Sequence, residues 1–149
     1  MPAFDTRRGR ITLGRSLAAI WSGGMRAAIY YLGLACLFTH ELDAVTHSEW
    51  RLLLLLRGWP DDTASPLFVA LHVPLFFTIL WLSHFPREVV RKATRVLVAA
   101  FLVVHAVLHF SLASNPLYEF HGTLSRSLIV SAAVCGLVYL FGELRGRLA

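Results

Sequence analysis

The chain carries few charges for its size. Of its 149 residues, 15% are charged and 56% are hydrophobic, whereas a soluble domain has about 25% charged residues. This composition excludes an ordinary soluble globular domain. Cysteine is also scarce: the two cysteines, Cys36 and Cys135, lie deep in different apolar runs and form no C-x-x-C pair. We therefore expect no disulfide framework and predict that both thiols are packing residues.

Several catalytic and binding motifs are absent as well. The sequence has no glycine-rich phosphate-binding loop and no G-x-S-x-G nucleophile elbow, so it does not support nucleotide chemistry or serine-hydrolase chemistry. The net charge of +5 could suit a nucleic-acid partner, but the basic residues fall in patches between apolar runs. That distribution follows the positive-inside rule of membrane proteins, and we expect no nucleic-acid partner.

Four long apolar runs are what the chain does contain. Each has about the 20 residues that a helix needs to cross a bilayer, and we predict spans at residues 27–47, 66–85, 93–113 and 124–141. The predicted fold is therefore all-α, a four-helix transmembrane bundle. The sequence leaves open whether residues 49–58 continue the first helix or lie along the membrane surface.

The bundle is predicted to form one domain, residues 27–149. Residues 1–26 combine several arginines with a short apolar patch, which is typical of a basic amphipathic segment in the cytoplasm or at the membrane interface. Eleven of the fourteen basic residues lie in this segment, in the loop between the second and third spans, and in the C-terminal segment. By the positive-inside rule, both termini are predicted to be cytoplasmic, in a multi-pass protein of the bacterial cell (inner) membrane.

Ionisable side chains interrupt the first span. His40, Glu41, Asp43 and His47 lie in a run that is otherwise mostly apolar, and each charge at membrane depth costs at least about 2.5–3.5 kcal/mol. At the helical rotation per residue, Asp43 and His47 lie on the same face as His40. A cluster this costly indicates a functional site, with a hydrogen-bonded structural network as the alternative.

Other histidines converge on the same membrane level. His72 lies about 9 Å below the outer end of the second span, His105 and His109 lie in the outer half of the third span, and His121 just precedes the fourth. Because His105 and His109 are four residues apart, a helix presents both imidazoles on one face, as zinc-binding H-x-x-x-H helices do. Histidines combined with carboxylates are typical ligands of zinc, iron and manganese.

The predicted site follows from these positions. Glu41 and Asp43 are the candidate catalytic carboxylates, either of which could act as a general base. The candidate metal ligands are His40, Asp43, His72, His105 and His109. The residues with candidate substrate-binding or auxiliary roles are His47, Glu49, Glu119, His121, Ser125 and Arg126. Glu49 would point away from His40 if the first helix continued past residue 47, and it would then pair with a nearby arginine at the surface.

Four motifs carry a resemblance to a known family. They are H-E-L-D-A at 40–44, E-W-R at 49–51, H-x-P-L-F at 72–76 and H-x-x-x-H at 105–109. Together they resemble an uncharacterised bacterial family of small four-span membrane proteins, a domain of unknown function, and this resemblance implies the architecture but no activity. The chain is more loosely similar to ceramidase-type intramembrane zinc hydrolases, which use a carboxylate, a histidine and a helical H-x-x-x-H around zinc. His105 and His109 match that last element.

These observations favour a metal-dependent membrane enzyme, hydrolase-like, that acts on a lipid-like substrate near the outer leaflet. The divalent metal is expected to be zinc, with iron and manganese as alternatives, and its bound water would attack an ester or an amide. Two other functions stay open: an ion or proton transporter or membrane-complex subunit, and a bis-histidine haem protein. The sequence also leaves open whether the chain is an enzyme at all and whether it forms a homo-oligomer.

Overall fold

The computed structural model describes the backbone of residues 6–148 and the side chains of residues 24–145. The helices in that range are α1 (Thr6–Thr46), a short 3₁₀ helix (Glu49–Arg51), α2 (Asp61–Ser83), α3 (Glu88–Leu112) and α4 (Thr123–Leu148). No strand occurs among these residues, which confirms the all-α prediction. The side chains of residues 1–23, most of the predicted lead-in, lie outside the described residues, and its amphipathic character stays a prediction.

Acidic residues and proline mark the boundaries of the second and third helices. Asp61 and Asp62 occupy the first turn of α2, where carboxylates stabilise the positive end of the helix dipole. α2 ends shortly before Pro86, and α3 begins just after it at Glu88. Because the connection between them is so short, these two helices run side by side in opposite directions.

Small residues allow the helices to approach closely. α4 packs against both α1 and α3, while α2 contacts mainly α3. A Cβ atom on Gly136 of α4 would lie 2.5 Å from the carbonyl oxygen of Ala99, and one on Gly33 of α1 would lie 2.8 Å from Leu102 Cδ1. Helices α1, α3 and α4 therefore pack so closely that only glycine fits at these two positions. Such close contact through small residues is typical of helix packing in membranes.

Three helices are long and apolar enough to cross a membrane: α2, α3 and residues Thr123–Arg145 of α4. Within the described range, α1 is not among them, and it carries Arg26 as well as the polar residues that begin at His40. Many large apolar side chains on α2, α3 and α4 are exposed, as expected of surfaces that face lipid. These helices point to a membrane protein, and the first predicted span stays a prediction.

A set of hydrogen-bonded polar side chains joins α1, α2 and α3 at the end of the bundle away from His40. The hydroxyls of Tyr30 and Ser83 lie 2.6 Å apart, and both side chains are buried. Arg95 donates hydrogen bonds to the Ser83 carbonyl and to the Tyr31 hydroxyl. These contacts fix the alignment of α1 along α2 and α3, and with it the height at which His40 meets α3.

Gly136→Ala should destabilise the fold, because the added methyl group would meet the backbone carbonyl of Ala99, which cannot rotate away. Overpacking of this kind costs about 1–3 kcal/mol. Gly24→Ala is the matched control, since nothing lies within 4 Å of the Cβ position at residue 24. Alanine also has a higher helix propensity than glycine, so this substitution should not destabilise α1. Thermal unfolding in detergent, followed by circular dichroism, should show a lower Tm for Gly136→Ala alone. Equal Tm values for the two variants would contradict the close packing of α3 and α4.

Candidate metal centre

Four buried side chains meet where α1 and α3 face each other. His40 of α1 is fully buried, and His105 and His109 lie buried on one face of α3. Glu49 of the 3₁₀ helix completes the group. One ligand atom from each residue lies within 4.8 Å of the other three. We call these four residues the histidine-glutamate cluster.

The spacing within the cluster is close to that of a metal site. His109 Nε2 lies 3.2 Å from His40 Nε2 and 3.1 Å from His105 Nε2. The same nitrogen lies 3.5 Å from Glu49 Oε1, and His40 Nε2 lies 3.9 Å from Glu49 Oε2. Four ligands about 2.0–2.1 Å from a tetrahedral zinc ion are about 3.4 Å from one another. The four side chains therefore leave room at their centre for one ion.

Hydrogen bonds alone do not satisfy this arrangement. A neutral imidazole nitrogen either carries a proton and donates, or has a lone pair and accepts. His109 Nε2 faces two imidazole nitrogens and a carboxylate oxygen, but it can serve only one of these roles at a time. Glu49 Oε2 is buried without a hydrogen-bond partner. A divalent cation would accept the converging lone pairs together, so the cluster fits a metal ion.

The charge of Glu49 also suits a cation. Burial disfavours the charged form of this carboxyl, but its interactions with His109, His40 and His105 outweigh burial and hold the pKa of Glu49 below its usual value. The neighbouring histidines therefore favour the ionised form of Glu49. One carboxylate and three imidazoles together form a ligand set with one negative charge, which suits a divalent metal ion.

A backbone turn brings Glu49 into the cluster. α1 ends at Thr46, and Ser48 adopts a left-handed conformation with φ 52° and ψ 41°. The chain then enters the 3₁₀ helix, which begins at Glu49, so residues 49–51 do not continue the first helix. A continuous helix would have placed Glu49 on the opposite side of α1 from His40. The predicted surface pairing of Glu49 is replaced by an ion pair between Arg51 and Asp61.

Aromatic residues from the segment before α4 enclose the cluster. Phe120 is fully buried, and its ring centroid lies 5.3 Å from that of His40 and 4.9 Å from that of His109. Tyr118 OH lies 3.4 Å from His109 Nδ1. With Nε2 directed into the cluster, Nδ1–H donates to this hydroxyl and fixes the ring. Neither residue could be recognised as part of the site from the sequence, because nothing in L-Y-E-F distinguishes Tyr118 and Phe120 from ordinary packing aromatics.

Glu41 and His72 form a separate pair. Glu41 Oε2 lies 2.9 Å from His72 Nε2, and His72 Nδ1 lies 2.7 Å from the Phe68 carbonyl oxygen. A carbonyl oxygen only accepts, so His72 Nδ1 carries the proton of its contact with Phe68. The short contact between His72 Nε2 and Glu41 Oε2 then needs a second proton, which the carboxylate and the imidazole share. The predicted ligand His72 is thus engaged with the predicted catalytic residue Glu41.

Asp43 is likewise engaged outside the cluster. Its Oδ1 lies 3.2 Å from Nδ1 of His47, one turn later along the chain. Its other oxygen is buried without a hydrogen-bond partner. Three of the five predicted metal ligands therefore join the histidine-glutamate cluster, while Asp43 and His72 lie in neighbouring pairs.

Four of the predicted auxiliary residues lie in the connection to α4 and in its first turn: Glu119, His121, Ser125 and Arg126. Ser125 is buried near the start of α4, and Glu119 lies within electrostatic range of Arg51. The ring of His121 lies 5.2 Å from that of Tyr118. Ser125, Glu119 and His121 are not among the four converging side chains of the cluster.

A cavity of about 270 Å³ lies beside the cluster, between the end of α3 and the start of α4. Its lining residues are His109, Phe110, Ala113, Tyr118, Arg126 and Ile129. Because His109 belongs to both the cavity wall and the cluster, a molecule in the cavity would lie next to the cluster. Structural zinc sites are closed by four protein ligands, whereas catalytic sites keep a position open for water or substrate.

The fold and the cluster define a small all-helical protein with membrane-like helices and a buried site that suits a metal ion. The chain belongs to DUF6713, a family of unknown function, whose family model matches residues 26–145. The prediction of an uncharacterised family is thereby confirmed, while the looser similarity to ceramidase-type hydrolases stays a prediction. No curated protein and no solved structure matches the chain.

Ser48→Val should displace Glu49 from the cluster. A β-branched residue is strained at a φ of 52°, and the left-handed conformation costs an L-residue about 1–2 kcal/mol. Ser48→Gly is the matched control, because glycine adopts this conformation freely. In a competition with a chelating dye, we expect zinc affinity to fall about tenfold for Ser48→Val and to stay unchanged for Ser48→Gly. Parental affinity in Ser48→Val would show that this turn does not position Glu49.

Proposed function

We propose that the protein is a metal-dependent membrane enzyme, hydrolase-like, that cleaves an ester or amide bond of a lipid-like substrate. One observation carries this proposal. Three imidazole nitrogens and one carboxylate converge at the spacing of metal ligands, and one of the three histidines also lines a cavity. The cavity would let a water molecule or a substrate reach an ion held by these four ligands, which catalytic zinc sites accommodate by expanding to five-coordinate.

The histidine-glutamate cluster would hold the metal. Zinc is our first expectation for three histidines and a carboxylate, with iron and manganese as alternatives. When bound, such an ion supplies a Lewis acid for the substrate carbonyl and lowers the pKa of a water molecule. His105 and His109 lie one turn apart on α3, and His40 meets them from α1, so two regular helices set the positions of the imidazoles in advance.

We assign proton transfer to Glu41. It directly follows His40 in α1, lies within electrostatic range of Glu49 and His109, and its Oε2 lies 2.9 Å from His72 Nε2. In hydrolysis, water forms the new bond to the carbonyl carbon, the ester or amide bond breaks, and the leaving alcohol or amine gains a proton. Glu41 would take the proton from water and return it to the leaving group, with His72 as its hydrogen-bond partner.

The packing favours a single ion over a haem. The two histidines that bind a haem approach its iron from opposite faces of the porphyrin. Here His109 Nε2 lies only 3.1 Å from His105 Nε2 and 3.2 Å from His40 Nε2, and Phe120 packs against the rings of His40 and His109.

Transport is the second candidate function. The Glu41–His72 and Asp43–His47 pairs place further ionisable groups near the cluster, as a proton pathway requires.

Elemental analysis of the detergent-purified protein should find about one equivalent of zinc, iron or manganese. The double variant His105→Ala/His109→Ala should lose it, because two of the four ligands are gone. His84→Ala is the matched control, since His84 is exposed and hydrogen-bonds with Tyr31 near the other end of the bundle. Two results would overturn the proposed site: a folded parent that takes up no metal even when metal is added, or a folded double variant that keeps its metal.

Turnover distinguishes the enzyme from the transporter. We expect the parent to hydrolyse short-chain ester or amide analogues of lipids, and Glu41→Gln to lower kcat by about 10²–10⁴-fold, because an amide cannot accept the proton. Metal content should not change in this variant. Asp43→Asn removes a carboxylate from the same helix and should keep most of the activity; a larger loss in Asp43→Asn than in Glu41→Gln would make Asp43 the base. Cluster-dependent metal uptake into vesicles without turnover of any analogue would replace the enzyme by a transporter.

A further inference from the structure

The cavity beside the histidine-glutamate cluster has walls of two kinds. Phe110, Ala113 and Ile129 supply apolar surface, whereas the polar surface comes from three residues at one end of the bundle: His109, Tyr118 and Arg126. The Phe110 side chain is also largely exposed on the outside of α3. The cavity therefore adjoins the apolar surface that α3 presents to lipid. A ligand with both a polar and an apolar part matches these walls.

Of the described residues that line the cavity, Arg126 alone carries a permanent charge. Three other basic side chains, those of Arg26, Arg51 and Lys92, each pair with a carboxylate. Among the residues whose side chains the structure describes, Arg126 is one of several arginines without an ion pair, and it is the one that lines the cavity. A guanidinium group without a counter-ion, on the wall of a largely apolar cavity, provides the charge and the paired N–H donors that bind a phosphate or a carboxylate.

Tyr118 links Arg126 to the cluster. Its hydroxyl lies 3.4 Å from His109 Nδ1, and its phenol lies within electrostatic range of the Arg126 guanidinium. When the hydroxyl accepts a hydrogen bond from Nδ1–H, its own proton is free to be donated to a ligand. An anion held by Arg126 would receive this second hydrogen bond, and the rest of the ligand would then lie against His109.

We infer that this cavity binds the anionic head group of an amphipathic lipid, with the Arg126 guanidinium as its counter-ion and the Tyr118 hydroxyl as a second donor. The inference rests on the proposed function and names its substrate class: lipids that carry a phosphate or a carboxylate close to the bond that is cleaved. The cavity, of about 270 Å³, is slightly smaller than a typical small-molecule pocket. It therefore takes the head group, while the acyl chains lie along the exposed apolar sides of α3 and α4.

Native mass spectrometry of the full chain in detergent micelles tests this inference. The probes are short-chain phosphatidic acid, the matching phosphatidylcholine, and inorganic phosphate. We expect the parent to bind phosphatidic acid at least about tenfold more tightly than phosphatidylcholine. Arg126→Gln should lose this preference, and Arg126→Lys should keep part of it, because lysine retains the charge but not the paired donors.

Arg57→Gln is the matched control. It removes the same charge from an exposed position in the connection between α1 and α2, at the same end of the bundle, and should bind like the parent. Equal binding of the two lipids by the parent, or equal weakening by Arg57→Gln and Arg126→Gln, would overturn the inference. Binding of inorganic phosphate as tight as that of phosphatidic acid would also overturn it, because the ligand would then be a free anion.

Metal content measured on the same samples keeps the two proposals apart. Lipid binding that depends on Arg126 in a protein that takes up no metal would support the anion site and refute the metal enzyme. Metal-containing protein whose lipid binding does not depend on Arg126 would refute the anion site and leave the metal enzyme standing. The two failures therefore give different results in one set of measurements.

Discussion

The convergence of three imidazole nitrogens on one buried point is the constraint around which the rest of this bundle is arranged. His109 Nε2 has His40 Nε2 and His105 Nε2 at 3.2 and 3.1 Å. Nitrogen lone pairs that face one another in an apolar interior are unfavourable unless a proton or a cation lies between them. The helices that carry them must therefore be held together by contacts elsewhere. Two features provide those contacts: the close packing at glycines of α1 and α4, and the hydrogen-bonded polar side chains at the far end of the bundle.

Helix positions could largely be predicted from the sequence, because a helix that faces lipid needs a long apolar run whatever its neighbours are. α3 and α4 overlap the predicted third and fourth spans. α2 begins at Asp61, five residues before the predicted start, because Pro66 lies within the helix and does not begin it. The end of α1 could not be predicted in this way, since the turn after Thr46 depends on one backbone angle at Ser48.

Site residues could be predicted from the sequence where their spacing along one helix decides which way their side chains face. His105 and His109 share a helix face at any rotation of α3, so their pairing is a property of the sequence alone. Glu49 reaches the cluster only through a left-handed serine, and serine carries no strong signal for that conformation. His72 lies at the expected depth, but depth does not decide which side chain a histidine meets. The rotation of α2 about its own axis directs His72 to Glu41.

An ion in the histidine-glutamate cluster would act as a cross-link between distant parts of the chain. His40 and His109 are 69 residues apart, and a disulfide that closes a loop of that length in a soluble protein contributes about 4 kcal/mol. Metal binding to the cluster and folding of the chain are then thermodynamically linked, since only the folded chain brings the four ligands together. A cell short of the metal would hold more partly unfolded protein and degrade it faster. The abundance of the protein in its membrane would thus follow the metal supply of the cell.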